Sequence, residues 1–184
     1  MQRKTAKQIL AESFREVAQT KSIDKITVRD ITENCGYSGA TFYRQFKDKY
    51  DLIAWDYAQT TAGIMDRVGV DGYAWRQTLR DGAEYFASQR AYLANLFLHT
   101  TGHDSFVRYM SQINYDALQS CLLHVSGKSA LDETTQMYLR LYCLGTVSLV
   151  CEWILGKYSA SPAKLAEIFE QSLPQPLRPL LLEE

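Results

Sequence analysis

Apolar positions along the chain recur at helical spacing. Ala6, Ile9, Leu10, Phe14 and Val17, with Ser13 among them, fall at three- and four-residue steps and lay one stripe on a first helix of about Thr5 to Gln19. No stretch alternates apolar and polar residues between tight-turn signals, so the pattern offers no hairpin. All four prolines (Pro162, Pro174, Pro176, Pro179) lie in the last 23 residues. Proline removes a donor and clashes with the preceding turn, so the long stretch before Pro162 permits uninterrupted helices. The expected class is all-α.

Punctuation residues divide this pattern. A short second helix is expected from Thr27, where Thr-Val-Arg-Asp reads as a capping box, to a stop at Gly36. A third follows Ser38, a good N-cap, and ends near Phe46. The fourth starts near Lys47 or Asp48 and runs to about Val68, where Gly69 to Gly72 breaks it. Further helices are expected over Tyr73–Gln89, Ala91–Thr100, Asp104–Val125, Asp132–Leu155 and Pro162–Leu173, the last opening on Ser161-Pro162. The tail after Pro174 reads as an irregular surface segment. Leu139 to Leu155 is too apolar all round for a surface helix. Two arrangements would bury it: a four-helix interface made with Pro162–Leu173 and the same two helices of a second subunit, or a central position within one subunit.

Composition narrows the class. With 184 residues, 46% apolar and 22% charged, the chain suits one domain, or a small one fused to a moderate one, and is too apolar for general disorder. Its richest apolar run, Leu141 to Leu155, is broken by Gly145, Thr146, Ser148 and Glu152 and falls short of the roughly 18–20 residues of a bilayer span. No membrane association is expected. MQRKTAKQILAESF has no long apolar core of a secretory signal, so a cytoplasmic location is expected. Cys35, Cys121, Cys143 and Cys151 are scattered and read as small buried residues, not as disulfide or zinc partners. Charge is uneven: residues 1–50 hold ten Lys/Arg against six Asp/Glu, whereas the whole chain has a net charge of −1. A basic head on an acidic body suits a polyanion partner for the head.

Residues 27–46, TVRDITENCGYSGATFYRQF, place two short helices around Cys35-Gly36-Tyr37-Ser38. Val28, Ile31 and Cys35 supply a buried face on the first, and Phe42 and Phe46 on the second. That describes a helix-turn-helix, whose second helix fits the major groove of DNA. The exposed residues that would reach base edges are Ser38, Gly39, Thr41, Arg44 and Gln45. Thr27, Tyr43 and Lys49 are candidates for phosphate contacts, which set register without reading sequence. Lys49 also fits an ordinary solvated lysine, and Arg3, Lys4 and Lys7 fit equally a solvated or a phosphate-contacting arm. Amides at the starts of the second and fourth helices would add anion affinity.

Thr27-Val28-Arg29-Asp30-Ile31, Gly36, Ser38, Thr41-Phe42-Tyr43, Phe46, Lys49 and Leu52 together resemble the DNA-binding domain of the tetracycline-repressor (TetR/AcrR) family of bacterial regulators. The resemblance implies a helix-turn-helix DNA-binding domain at 1–50, a helical regulatory and dimerisation domain at 51–173 and a Pro-rich tail at 174–184. It further implies a homodimer on a double-stranded, pseudo-palindromic operator, controlled by a small-molecule effector. Three positions depart from the family pattern: Gln45 where His is frequent, Tyr50 where an acid is frequent, and Gly39 where a side chain often reads a base. Specificity then leans on Thr41, Arg44 and DNA shape.

The C-terminal part reads as a bundle without a phosphate loop, nucleophile elbow or HExxH pair, so neither enzymatic activity nor a cofactor is expected. His99 and His103 have metal-pair spacing, but Gly102 between them and the lack of a third ligand speak against a metal. His124 reads as structural, and Arg80, Asp81 and Glu84 as a solvated face. Most aromatics there belong to a core, with Tyr85, Tyr109, Tyr115 and Trp153 as candidate linings of a ligand pocket. Gly145 and Glu152-Trp153-Ile154 are similar to the TetR-like group that includes the activator of dihydroxyacetone kinase operons. That likeness implies a protein partner, with activation, as the alternative input. A helical interaction module without DNA binding is the third reading.

Overall fold

The computed structural model describes residues 4–68, 71, 73–99 and 103–182, which form an all-α fold. The helices are α1 (Ala6–Val17), α2 (Val28–Cys35), α3 (Gly39–Gln45), α4 (Lys49–Met65), α5 (Trp75–Ser88), α6 (Arg90–His99), α7 (His103–Ser126), α8 (Glu133–Ile154), α9 (Pro162–Gln171) and α10 (Arg178–Leu181). Their ends are set by side chains that satisfy the orphan amides of a first turn. Thr5 and Gln8 form a reciprocal capping box on α1, and Thr27 and Asp30 form one on α2. Asp48 accepts from the Tyr50 and Asp51 amides, and Asp132 and Ser161 cap α8 and α9. Gly36 closes α2 at φ 72°, a left-handed conformation that glycine adopts without cost.

Between α1 and α2 the chain makes a 3-10 turn, Ile23–Lys25, which the sequence pattern had not suggested. It brings Ile23 and Ile26 into one core with Leu10, Phe14, Ile31, Phe42 and Leu52. The buried Ser13 hydroxyl donates to the Ile31 carbonyl at 2.6 Å, and the Asn34 amide donates to Ser13 Oγ and Glu16, so polar bonds fix α1 across α2. This core does not stop at residue 50. Phe14 meets the edge of Tyr92 on α6 at 6.1 Å, and the same apolar cluster continues through Leu96, Val150, Trp153 and Phe169.

In the body, α7 packs along α8 and α4, while α9 lies on α5. A second cluster joins Trp75, Tyr115, Leu122, Leu131 and Leu139 to Leu177 and Leu181. The tail is therefore ordered against the body: a 3-10 turn (Gln175–Leu177) and α10 bury those two leucines. Pro174, Pro176 and Pro179 start and space these short helices, and the apolar residues between them provide the packing that an irregular surface segment lacks.

α8 is long and apolar enough, by length and composition, to cross a membrane, yet eight of its residues are buried in the protein core. It is not enclosed all round within one chain. Met137 and Leu141 are 67% and 69% exposed, and Leu144 and Leu155 are exposed in line with them. The α9 surface facing away from the core carries Ala163, Lys164, Glu167 and Gln171 and is mostly polar. The uncovered apolar stripe thus belongs to α8.

Candidate nucleic-acid interface

α3 stands on Phe42, fully buried, and on Phe46 just beyond its end. The same periodicity pushes Tyr43, Arg44 and, less fully, Gln45 to the outside; Tyr43 is 63% exposed, with only its ring edge resting on Phe42. Ser38 caps the helix by accepting from the Thr41 amide at 3.2 Å. Thr41 Oγ1 lies 3.1 Å from Ser38 Oγ and accepts from Arg44 Nη2 at 3.1 Å, which orders a polar row along the rim of α3. At Gly39 nothing stands within 4 Å of where a Cβ would be, so its surface is open backbone. Ala40 and Lys47, exposed beside these residues, belong to the same face and were not singled out by the sequence pattern.

Two candidates for phosphate contact are engaged by other groups of the protein. The Lys49 ammonium donates to the carbonyls of Ile23, Asp24 and Ile26 at 2.6, 3.0 and 2.9 Å. Its three donors are matched one to one, and burial holds its pKa below the ordinary lysine value. Lys49 is thus a clasp on the 3-10 turn, a role the sequence pattern had not suggested. The Thr27 hydroxyl is exposed but donates to Asp30 at 2.7 Å. Asp30 also accepts from the Thr27 amide and from Lys21 at 2.6 Å, and these bonds, Lys21 foremost, hold its carboxyl well below the usual range. The basic arm folds back as well: Lys4 pairs with Glu12 at 2.8 Å, and Lys7 lies over the rings of Phe46 and Trp55. Arg3 lies outside the described residues.

A second locus lies in the body. A partly open cavity of about 130 Å³ lies between α4–α9, with Tyr57, Trp75, Leu79, Phe86, Phe97, Met110, Asn114, Tyr142 and Val147 in its wall. None of the four aromatics expected from the sequence lines it. Tyr109 is exposed, and Tyr115 lies under the Arg140 guanidinium in the second cluster. Trp153 is buried, with its Nε1 donating to the Ala160 carbonyl at 2.8 Å and Arg90 bonding the last carbonyls of α8 beside it. Tyr85 rests its ring against Phe86, which takes the lining position in its place. Cys143 and Cys151 reach the wall as thiols, both pushed up to about 12 by burial. The side chains of His99 and His103 fall outside the described residues, and no cluster of potential metal ligands occurs among the described ones. Asp81 is less solvated than expected, accepting from Tyr73 at 2.6 Å and pairing with Arg67 at 3.2 Å.

α6 joins the two loci. Leu93 and Phe97, one turn apart, face the cavity. Asn95, between them in sequence and thus on the other side, donates to the carbonyls of Ala18 and Lys21 at 2.9 and 3.1 Å and accepts from the Ile23 amide at 3.3 Å. The signal was present in the sequence as a lone amide in the apolar run YLANLFL.

This arrangement coincides with two family models. Residues 10–54 match the model for bacterial regulatory proteins of the tetR family, and residues 73–175, more than half of the chain, match a transcriptional regulator C-terminal region of the same family. The chain belongs to the tetR family. It is a transcriptional regulator and not an enzyme. This tetR-family chain is 22% identical over 98 residues to the HTH-type dhaKLM operon transcriptional activator DhaS of Lactococcus lactis subsp. lactis (strain IL1403). That stretch is 53% of this chain, and the chain spans about half the length of that curated relative (52%). Among solved structures, the dihydroxyacetone kinase operon activator DhaS superposes with a TM-score of 0.63 at 19% identity, covering 91% of each chain. A TetR transcriptional regulator from Rhodococcus sp. RHA1 gives 0.64 at 14% identity, covering 92% of this tetR-family chain and 97% of that one. The shared fold is that of tetR-family regulators.

Proposed function

We propose that the protein binds a pseudo-palindromic operator as a homodimer, inserting α3 of each subunit in the major groove, and that a small molecule in the body cavity controls the binding. The observation that carries this reading is the outer face of α3. A short, capped helix stands on two buried phenylalanines and turns Thr41, Tyr43, Arg44 and Gln45 away from the core at the basic end of the chain. The exposed Met137, Leu141 and Leu144 on α8, with Leu155 at its end, support pairing with a second subunit, because apolar side chains exposed along one helix face are unfavourable in water. Pairing through it would set the separation of the two α3 helices, and hence the half-site spacing.

The route of control follows α6. A ligand pressing on Leu93 and Phe97 displaces the helix whose Asn95 holds the turn between α1 and α2. The two readers are then reoriented, and the match to half-sites one or more DNA turns apart is lost. A second reading, activation through a protein partner, draws on the activator role of the DhaS relative and on the exposed Leu98 and Tyr109.

The test is selection of duplexes from a random pool, followed by mobility shift at several salt concentrations. Salt-sensitive binding to a palindromic site is expected, with at least a tenfold loss for Thr41→Ala combined with Tyr43→Ala at an unchanged melting temperature. Failure to select any duplex, or affinity untouched by the double substitution, overturns the reading. A promoter fusion in the presence and absence of the protein assigns repression or activation.

A further inference from the structure

α7 turns Met110, Asn114 and Leu118, four residues apart, toward the body cavity, so an amide stands in the middle of an otherwise apolar helix face. Asn114 Oδ1 accepts from the Tyr57 hydroxyl on α4 at 3.1 Å. No described residue accepts from Asn114 Nδ2, which keeps accessible surface and leaves two N–H donors open. The other hydroxyl and indole groups of the wall are committed. The Tyr142 hydroxyl donates to the Phe169 carbonyl at 3.0 Å, and the Trp75 side chain bonds to Tyr142. Thr78 and Thr146 donate to carbonyls one turn earlier, those of Ala74 and Tyr142, at 3.4 and 2.8 Å. No Lys, Arg, His, Asp or Glu occurs among the described wall residues, and Cys143 and Cys151 are held as thiols by burial.

We infer that the cavity takes an uncharged, largely apolar molecule whose hydrogen-bond acceptor is seated on Asn114 Nδ2. This deepens the effector reading above and rests on it. An amide nitrogen only donates, so the ligand brings the acceptor, such as a carbonyl or ether oxygen. Between apolar walls that bond is shielded from water and is stronger than the same bond at the surface. An ion entering a wall with no countercharge loses its hydration without return, which selects against carboxylates, phosphates and amines. Size adds a bound: an apolar protein cavity of about 150 Å³ holds benzene, so a volume of about 130 Å³ suits one ring or a short chain with a small substituent. The seat also adjoins α4 through Tyr57, and the first turns of α4 bury Leu52 and Ile53 in the same core as Phe42. An occupant at Asn114 therefore meets the helix that leads to α3.

The experiment uses three probes of matched shape: acetophenone, its hydrocarbon analogue isopropylbenzene, and benzoate. Binding to the full chain, free of DNA, is measured by calorimetry in the parent, in Asn114→Leu and in Tyr57→Phe. The quantity read is the ratio of ketone to hydrocarbon affinity, from which the hydration of the probes themselves cancels between variants. That ratio is expected to fall roughly threefold to tenfold in Asn114→Leu and to stay within about twofold in Tyr57→Phe, which keeps the amide. Benzoate is expected to bind the parent at least about tenfold more weakly than acetophenone. In 15N-labelled parent protein the Asn114 side-chain amide resonances should move downfield with acetophenone and not with isopropylbenzene, a readout that decides should Asn114→Leu not fold. A ratio unchanged in Asn114→Leu, or lost equally in Tyr57→Phe, overturns the inference. Amide shifts that are alike for both probes, benzoate binding as tightly as the ketone, or no binding by any probe also overturns it. A parallel mobility shift separates the two claims: ketone binding that leaves DNA affinity unchanged removes the effector reading and still upholds the ligand class.

Discussion

The Lys49 ammonium offers a direct test of how the helix-turn-helix is held. Lys49→Met keeps the methylene stem but removes the charge from three carbonyls, two of them on the buried residues Ile23 and Ile26. A hydrogen bond from a charged donor contributes roughly 1.5–3 kcal/mol. These three share one ammonium with partial access to solvent, so the expected total is about 2–3 kcal/mol rather than the full sum. For a chain of 184 residues each kcal/mol shifts the midpoint by about 2–4 °C, so a drop of about 5–10 °C is expected. Thermal melts followed by circular dichroism measure it. The same variant separates a clasp from a phosphate contact. Loss of one phosphate contact lowers the slope of log K against log[salt] by about 0.9, whereas loss of a clasp leaves the slope alone. A melting temperature within about 1 °C of the parent together with a reduced slope would refute the clasp.

Other perturbations follow from the same geometry. Asn95→Ala removes all three bonds between α6 and the turn that carries Ile23, so a loss of about 1–3 kcal/mol and faster amide exchange at Ile23 are expected; unchanged exchange counts against the coupling route. Leu141→Glu places a charge in the middle of the uncovered α8 stripe, and light scattering should report a fall from a dimer to the 21.0 kDa monomer; persistence of the dimer mass removes α8 as the contact. Asp30 is held below the usual carboxylate range by Lys21 and Thr27, so its contribution is complete above the unfolded-state value of about 4 and is lost as pH falls through the lower folded value. Asp30→Asn should therefore lower the melting temperature near neutrality and flatten its decline between about pH 5 and 2; an unaltered acid limb sinks this assignment.

The helix-turn-helix was legible in the sequence because its determinants are local. Thr27 with Asp30, Gly36, Ser38 and Asp48 each set a helix end through bonds spanning four residues or fewer, and the spacing of Phe42 and Phe46 alone decides which side of α3 faces out. The cavity was not legible. Twelve tyrosines, seven phenylalanines and three tryptophans look alike in one dimension, and whether an aromatic lines a space or fills one depends on helices far away in the chain. Tyr85 and Phe86 are neighbours on α5, yet only Phe86 reaches the wall. Trp153 shares the cavity's core cluster, but Ala160 and Arg90 hold it elsewhere.

Propensity and capping, acting within a turn or two, thus determine where each helix begins and which stripe it buries, and both can be read from residues in order. The partner of a charge is decided by folding. Lys49 meets carbonyls more than twenty residues away, and Asn95 reaches back more than seventy. The free energy of a buried polar group depends on which distant atoms complete its hydrogen bonds, and only the packed structure brings those atoms within reach.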